Sequence, residues 1–399
     1  MGKKTLEDYD VAGKRVLLRV DFNVPLDKET GAISNDERIQ AALPTIRYLL
    51  DHEARLIIMS HLGRPKGQVV DSLRLDPVAD RLSALLGQPV AKADDCIGEL
   101  AEKAVADLQP GQALLLENVR FHPEEEKNSL EFVKKLAALG DIFVNDAFGT
   151  AHRAHASTEG VGHFLPAVAG YLMKKEISAL ARAGKRPVRP YVAIIGGAKI
   201  SDKILVIEEL MKIADKIIIG GGMANTFLAA QGYDMQASLV ETDKIDLAKS
   251  LLDQQAETGK AFLLPTDVVV AKSLDDAQGT IKKVDDLAAG DMALDIGPAT
   301  RDLYVKALDG AQTIFWNGPM GVFEKEAFAQ GTNALAQGVA DSAGYTIIGG
   351  GDSVAAVAQA GLSEQIDHIS TGGGASLVFL EGRLLPGLAV LEEREDEPA

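Results

Sequence analysis

Among 399 residues the sequence holds one cysteine, Cys96. No internal disulfide can brace the fold, and a reducing compartment is expected. No uninterrupted apolar run approaches the ~20 residues a membrane span requires, and the opening stretch MGKKTLEDYD lacks the apolar core of a secretory signal. The expected setting is the cytoplasm. Basic charge is in deficit too: 41 Lys and Arg stand against 58 Asp and Glu, a formal net charge of −17. Such a surface repels nucleic acid and anionic membrane, so neither is an expected partner. An anionic ligand must instead find a pocket where cations gather and invert the local potential. Short-period repeats and low-complexity tracts are also absent.

Several familiar fingerprints are missing as well. There is no G-x-x-x-x-G-K-[ST], which excludes a P-loop enzyme, and no G-x-G-x-x-G, which counts against a dinucleotide-dependent oxidoreductase. The run Asp146-Ala147-Phe148-Gly149 carries one residue too many for the protein-kinase metal motif, and no H-R-D loop accompanies it. Gly351-Asp352-Ser353-Val354-Ala355 stops one glycine short of a hydrolase nucleophile elbow.

What is present is a repeated pattern: a short Val/Ile/Leu run, then an abrupt change to Gly, Asp, Asn or a cation. RVLLRV precedes Asp21, RLIIMS precedes His61, ALLLEN comes before Arg120 and DIFVND before Ala147. In the second half YVAII precedes Gly196, KIIIG precedes Gly221, and TIFWNGP and TIIGGGD follow. Helical patterns lie between them, as at 202–212 and 353–360. Alternating buried strands and helices predict an α/β fold of mostly parallel sheets flanked by helices. Ligands of such sheets sit beyond the strands' carboxyl ends, where every conspicuous polar cluster of this chain falls. The helical stretch YLMKKEISALARA runs into GKRPVRP, whose Pro187 and Pro190 interrupt any helix. We therefore expect two lobes, 1–170 and 187–381, joined by a linker helix at 171–186 and a hinge. The acidic end after Leu391, EEREDEPA, is expected to be frayed and solvated.

Four glycine clusters mark the second lobe: Gly196-Gly197, Gly220-Gly221-Gly222, Gly349-Gly350-Gly351 and Gly372-Gly373-Gly374. Glycine lets backbone N–H groups approach a phosphate, and a following helix presents its positive end. Tight strand-to-helix turns would need glycine equally, but four clusters in one lobe favour a nucleotide site. Lys199 and Lys203 stand four apart at an expected helix start, on one face and against the helix dipole. An anion between them would resolve the conflict; two solvated lysines are the bland alternative. Asp352 is expected to cap the helix that follows it, a role compatible with holding Mg²⁺. Asn317 and Glu324 are candidates for hydrogen bonds to a nucleotide, Glu324 accepting from ribose hydroxyls.

The first lobe gathers Arg38, His61, Arg64, Arg120, His152, Arg153 and His155, with Asp21 and Asn23 among them. Guanidinium forks match carboxylate and phosphate oxygens in pairs, so a small ligand bearing both groups and hydroxyls suits the set. Long segments here resemble the phosphoglycerate kinase family: RVDFNVP at 19–25, SHLGRP at 60–65, LLENVRFH at 115–122 and DAFGTAHRAHAST at 146–158. So do GGAKISDK at 196–203, GGGMANTF at 220–227, WNGPMGVFE at 316–324, GGGDS at 349–353 and STGGGAS at 370–376, all in family order.

The resemblance implies a glycolytic transferase that moves a phosphoryl group reversibly from 1,3-bisphosphoglycerate to MgADP, giving 3-phosphoglycerate and ATP. It implies phosphoglycerate binding by Asp21, Phe22, Asn23, Arg38, His61, Leu62, Gly63, Arg64, Arg120 and Arg153. ADP or ATP would be bound by Gly197, Ala198, Lys203, Gly221, Asn317, Pro319, Glu324, Gly350, Gly351, Asp352 and Ser353. Asp352 would be the Mg²⁺ residue, and Arg38, Lys199 and Lys203 would stabilise the transferring group. Ser353 stands where the family usually has Thr, and a hydroxyl is retained. The resemblance further implies a monomer, a chain end (382–399) packing back on the first lobe, and lobes that close about hinges at 184–190 and 371–374. The nucleophile is ionised in both directions, ADP phosphate or carboxylate, so no general base is required. Positioning and charge stabilisation would carry an in-line transfer. A dinucleotide-dependent oxidoreductase and a nucleotide-responsive binding module without catalysis remain the alternatives. The missing fingerprint and the basic first lobe count against the first, and intact Arg38, Lys199, Lys203 and Asp352 against the second.

Overall fold

A computed structural model describes residues 2–27 and 29–394. The chain divides into two compact units. One runs to Ile177 and takes back the chain from Leu384; the other is Ser178–Arg383. The division falls inside the helix Tyr171–Gly184.

In the first unit the apolar runs form six strands: β1 (Arg15–Arg19), β2 (Arg55–Met59), β3 (Val90–Lys92), β4 (Ala113–Leu115), β5 (Ile142–Asn145) and β6 (Ala167–Ala169). They make one parallel sheet in the order β3-β4-β2-β1-β5-β6. Val16, Leu17 and Leu18 of β1 and Leu56 to Met59 of β2 are all fully buried, as strands covered by helices on both faces must be. Each such aliphatic side chain stabilises the fold by roughly 1.5–3 kcal/mol. The central strand β1 has β2 on one side and β5 on the other, so connections leave it in opposite directions. Beyond the carboxyl ends at that point lies the crevice where such sheets hold ligands. Asp21 follows β1 and His61 follows β2 there.

The second unit repeats the plan. It contains β7 (Tyr191–Ile195), β8 (Lys216–Ile219), β9 (Ala261–Leu263), β10 (Asp267–Ala271), β11 (Thr280–Lys283), β12 (Met292–Ile296), β13 (Thr313–Asn317), β14 (Tyr345–Gly349) and β15 (His368–Ile369). Six of them form a parallel sheet, β15-β14-β13-β7-β8-β9, with β7 between β13 and β8. The other three form an antiparallel sheet, β11-β10-β12, that the sequence reading did not anticipate. The only tryptophan in the sequence, Trp316, is fully buried in β13, and its indole N–H donates to the Gly318 carbonyl at 2.8 Å.

The acidic end is anchored as far as Arg394, contrary to the expected fraying; residues 395–399 lie outside the described residues. Glu392 accepts from Lys4 Nζ (2.8 Å) and from the Tyr9 hydroxyl, while Lys3 pairs with Glu393 (2.6 Å) and Arg394 with Asp8 (3.0 Å). Backbone bonds join Lys4 N to Glu392 O and Glu392 N to Ala167 O. Acidic side chains that looked merely solvated meet Lys3 and Lys4 at the start of the chain. Deeper in, fully buried Asn145 donates through Nδ2 to Thr158 O (3.1 Å) and Gly387 O (2.9 Å), and its Oδ1 accepts from Ala147 N (3.1 Å). Asn145→Ala leaves these backbone groups unpaired at about 1–3 kcal/mol each. Its expected cost is at least about 3 kcal/mol, with faster exchange of the Ala147 amide, which loses its Asn145 Oδ1 acceptor. Unchanged urea unfolding and unchanged Ala147 protection would contradict this role.

Candidate active site

Beyond β1, β2 and β4 of the first unit lies a partly buried basic cluster. Arg38 Nη1 donates to Asp21 Oδ2 at 2.8 Å, and His61 Nδ1 lies 4.0 Å from Asp21 Oδ1. Asn23 Oδ1 accepts from Gly63 N at 2.8 Å, and Arg120 Nη1 donates to Gly63 O at 3.0 Å. The Phe22 and Leu62 side chains are buried in the core, so these two can meet a ligand only through their backbones. Arg153 is half-buried, with Nε 3.3 Å from His152 Nε2. Arg64 is exposed, and no hydrogen bond ties it to the cluster among the described residues.

The electrostatics favour an anion. Burial first, and then the guanidinium groups of Arg19, Arg120, Arg153 and Arg38, hold His61 well below the ordinary imidazole range. Burial and then Arg120 and Arg153 bring His155 down to about 4, so both rings are neutral near pH 7. Burial and the neighbouring Arg19 and Arg153 lower Arg120 to about 10. Arg120 is only 4% exposed, and its Nη2 has no hydrogen-bond partner among the described residues. Orphaned cationic donors in a buried cluster are what an anionic ligand satisfies. Sequence reasoning missed Arg19, Ser157 and Glu125, which lie behind His61. A signal was available: a cation inside an apolar strand run must find buried partners.

In the second unit the glycine turns after β7, β8 and β13 interlock. A Cβ on Gly196 would lie 2.1 Å from Pro319 O, and one on Gly221, where φ is +70°, would lie 2.5 Å from Gly197 O. These turns need glycine for backbone packing, so the bland reading of those clusters is correct for part of their role. The third cluster differs: Gly350 has φ +90° and Gly351 has no atom within 4 Å of a Cβ position. Its N–H groups open the helix Gly351–Gln359, whose first turn has no intrahelical acceptors.

The lysines are arranged differently from the expectation of one helical face. Lys199 precedes a single 3₁₀ turn, Ile200–Asp202, and Lys203 is the N-cap of the helix Ile204–Ile213. Lys199 is exposed, whereas Lys203 turns its ammonium inward to Gly196 O (2.8 Å), Asn317 O (3.1 Å) and Asn317 Oδ1 (2.5 Å). Burial lowers Lys203 to about 8, against the pull of Asp352 and Asp202. Asn317 is 2% exposed and its Nδ2 has no partner among the described residues; a Cβ on Gly350 would lie 2.9 Å from it. Asp352 is not the helix cap, because Gly350 occupies that position. It sits exposed in the first turn and makes no ion pair among the described residues. Ser353 is buried, its Oγ accepting from Gly318 N at 2.5 Å.

A cavity of about 540 Å³ opens beside these turns. Gly197, Ala198, Gly221, Pro319 and Asp352 line one part, Leu239, Leu274, Met292 and Val322 another, and Glu324 is also on its wall. An apolar slot next to glycine turns, a lysine and three carboxylates, Asp295, Glu324 and Asp352, can take a flat base, a ribose and a phosphate chain. Beside the glycine turns Asp352 offers an exposed carboxylate, which would fit Mg²⁺ held by one or two carboxylates together with phosphate oxygens and water.

The family model for phosphoglycerate kinase matches residues 6–383. The phosphoglycerate kinase of Moorella thermoacetica is 60% identical over 395 residues, covering 99% of this chain and 100% of that protein. That of Roseiflexus castenholzii is 59% identical over 398 residues, covering 98% and 100%. Among solved structures, the phosphoglycerate kinase of Coxiella burnetii matches with a TM-score of 0.89 at 46% identity, covering 97% of this chain and 98% of that one. The Pyrococcus horikoshii OT3 enzyme gives 0.85 at 36% identity, with the same coverage.

Lys203 yields a signed prediction. Its folded pKa of about 8 lies below the ordinary 10.5, so between these values the unfolded chain binds more protons. Its contribution to stability therefore rises with pH across that window. A nucleotide phosphate placed beside the ammonium would restore the charged form, in which case MgADP binding at pH ~8.5 should take up a fraction of a proton. Calorimetry in two buffers of different ionisation enthalpy measures this uptake. Lys203→Met should abolish it, and buffer-independent heats in the parent protein would refute the assignment.

Proposed function

The chain belongs to the phosphoglycerate kinase family, and from that membership we propose that it transfers the acyl phosphate of 1,3-bisphosphoglycerate to MgADP, reversibly, as a glycolytic phosphotransferase. The observation that carries this reading is buried Arg120 with its unpartnered Nη2, in a cluster of cations on an otherwise acidic protein. Arg38, Arg120, Arg153, Arg64 and His61 would hold the phosphate and carboxyl groups of phosphoglycerate, with Asp21 and Asn23 accepting from its hydroxyls. Gly197, Ala198, Gly221, Asn317, Pro319, Glu324 and residues 350–353 would hold the nucleotide. Asp352 would hold Mg²⁺, which when bound supplies positive charge at the phosphate chain.

Lys199, Lys203 and Arg38 would then stabilise the transferring group. Lys203 has to exchange at least one of its present oxygen partners for a phosphate oxygen, a switch a flexible four-carbon stem permits. Asn317 would take part in that exchange, since its Oδ1 now accepts from Lys203 while its Nδ2 has no acceptor. In-line transfer needs the reacting atoms within about 3–3.5 Å, and hinge bending at 184–190 and 371–374 would bring the two ligands there. A monomer in a reducing cytoplasm completes the reading, supported by a lone, buried Cys96.

Purified protein should make ATP from 1,3-bisphosphoglycerate and MgADP, run the reverse reaction, and lose both on addition of EDTA. Folded protein with no turnover in either direction would remove the assignment. Variants separate the two units. Lys203→Ala should lower kcat by roughly 10²–10³, whereas Arg153→Ala should weaken 3-phosphoglycerate binding and leave binary MgADP affinity nearly unchanged. Equal loss of both ligands in Arg153→Ala, read by calorimetry, would contradict the division of labour.

A further inference from the structure

The last residue of β1, Arg19, is 1% exposed beside the aliphatic run Val16–Leu18, and each nitrogen of its guanidinium is engaged. Nε donates to Ser157 Oγ at 2.8 Å, Nη1 donates to the Val20 carbonyl, and Nη2 lies 3.2 Å from His61 Nδ1. Ser157 Oγ donates a hydrogen bond to Glu125 Oε1 at 2.6 Å, and Ser157 N donates to Glu125 Oε2 at 2.9 Å. Glu125 is 1% exposed and Ser157 fully buried. A buried arginine thus has a buried carboxylate as its counter-ion, through one serine, and points its remaining fork at a histidine.

Guanidinium nitrogens only donate, so the ring nitrogen facing Nη2 must accept. We propose that Arg19, held by Ser157 and Glu125, fixes His61 as the neutral tautomer protonated on Nε2, making His61 a one-way donor to an anionic ligand. Arg19 is then a positioning residue. It sets which atom of His61 bears the proton without needing to touch the ligand. This rests on the phosphoglycerate-binding reading only for the identity of the ligand.

The charged groups facing His61 come from every neighbouring element. Arg19 and Asp21 belong to β1 and its exit, Arg38 to the helix Glu37–Asp51, Arg120 to the turn Val119–Phe121, and Arg153 to the loop after β5. Four cations oppose protonation of the ring. The carboxylate that faces the ring, Asp21, is 4.0 Å away and already accepts from Arg38. A protonated His61 would also set an N–H against the Arg19 guanidinium. His61 should therefore stay neutral across the range in which free histidine titrates.

Long-range ¹H–¹⁵N spectra of the full chain with ¹⁵N-labelled histidine test this, with His61→Gln used only to assign the signals. The expected result is an unprotonated Nδ1 and a protonated Nε2, unchanged from about pH 5.5 to 8. 3-Phosphoglycerate should shift Nε2 more than Nδ1. A His61 that titrates in this range, or that carries its proton on Nδ1, overturns the proposal without any variant. Ser157→Ala should detach Arg19 from Glu125, mix the His61 tautomers and weaken 3-phosphoglycerate binding by about tenfold, with kcat at saturation little changed. A folded Ser157→Ala protein with the parent His61 spectrum and affinity would also overturn it. Absence of kinase turnover alongside the expected spectrum would sink the functional reading and leave the tautomer assignment standing. Full turnover alongside a titrating His61 would do the reverse.

Discussion

A strand buried on both faces can hold a polar side chain only where another group satisfies it, and that constraint organises both units. In β1 and β7 the middle of the strand is aliphatic on either face, so polar chemistry is displaced to the residues after the carboxyl end. Each is a central strand with parallel neighbours on both sides, which opens a crevice at its exit. Asp21 and Asn23 in one unit, and Gly196 and Gly197 in the other, occupy equivalent places by this logic. The two sites differ in what the sequence places at those exits.

In the first unit the exits carry side-chain cations; burial, and then the neighbouring arginines, depress Arg120 to about 10 and His155 to about 4. Crowding like charges in a poorly solvated place destabilises the empty site. An anion reverses the sign of that interaction, so the strain of the free protein becomes selectivity for a charged ligand. The second unit makes its site mainly from backbone. At Gly196, Gly221, Gly222 and Gly318 a Cβ would collide with the backbone of a neighbouring turn, and Lys203, drawn inward, is surrounded by carbonyl and amide oxygens. A backbone cradle suits a phosphate chain that must both enter and leave, since its donors are fixed while Lys203 can change partners.

The parallel sheets were legible because burial on both faces writes itself as unbroken Val/Ile/Leu runs, and the sites because polar clusters follow those runs. What escaped was local geometry. Lys199 and Lys203 share a spacing that suggests one helical face, yet a 3₁₀ turn between them sends one to solvent and the other inward. Asp352 has the composition of a cap, but Gly350 adopts a positive φ and takes that position first. The three-stranded antiparallel sheet was hidden because β11, reading TIKK, is largely exposed and carries little apolar signal. EEREDEPA looked solvated because its partners, Lys3, Lys4 and Asp8, lie at the other end of the chain. Arg19 was read as part of a strand; its meaning depends on Ser157 and Glu125, more than 100 residues away.

The titratable groups bear on the proposed chemistry as a set. A reaction between an ionised nucleophile and a phosphoryl group gains nothing from a base, and a free base near the reacting atoms could activate water. The cluster in the first unit contains three imidazoles, which in other surroundings are the commonest general bases. Here His61 accepts from Arg19 on Nδ1, and burial lowers all three, His155 to about 4. Of the carboxylates nearby, Asp21 accepts from Arg38 and Glu125 is spent on both donors of Ser157. Both carboxylates and the acceptor nitrogen of His61 are thus engaged within the protein, while burial and Arg120 keep His155 a weak base, so what faces a ligand is chiefly donors and positive charge. That inventory suits a transfer driven by positioning and charge stabilisation. It also explains why a site so rich in histidine would not behave as an acid–base catalyst.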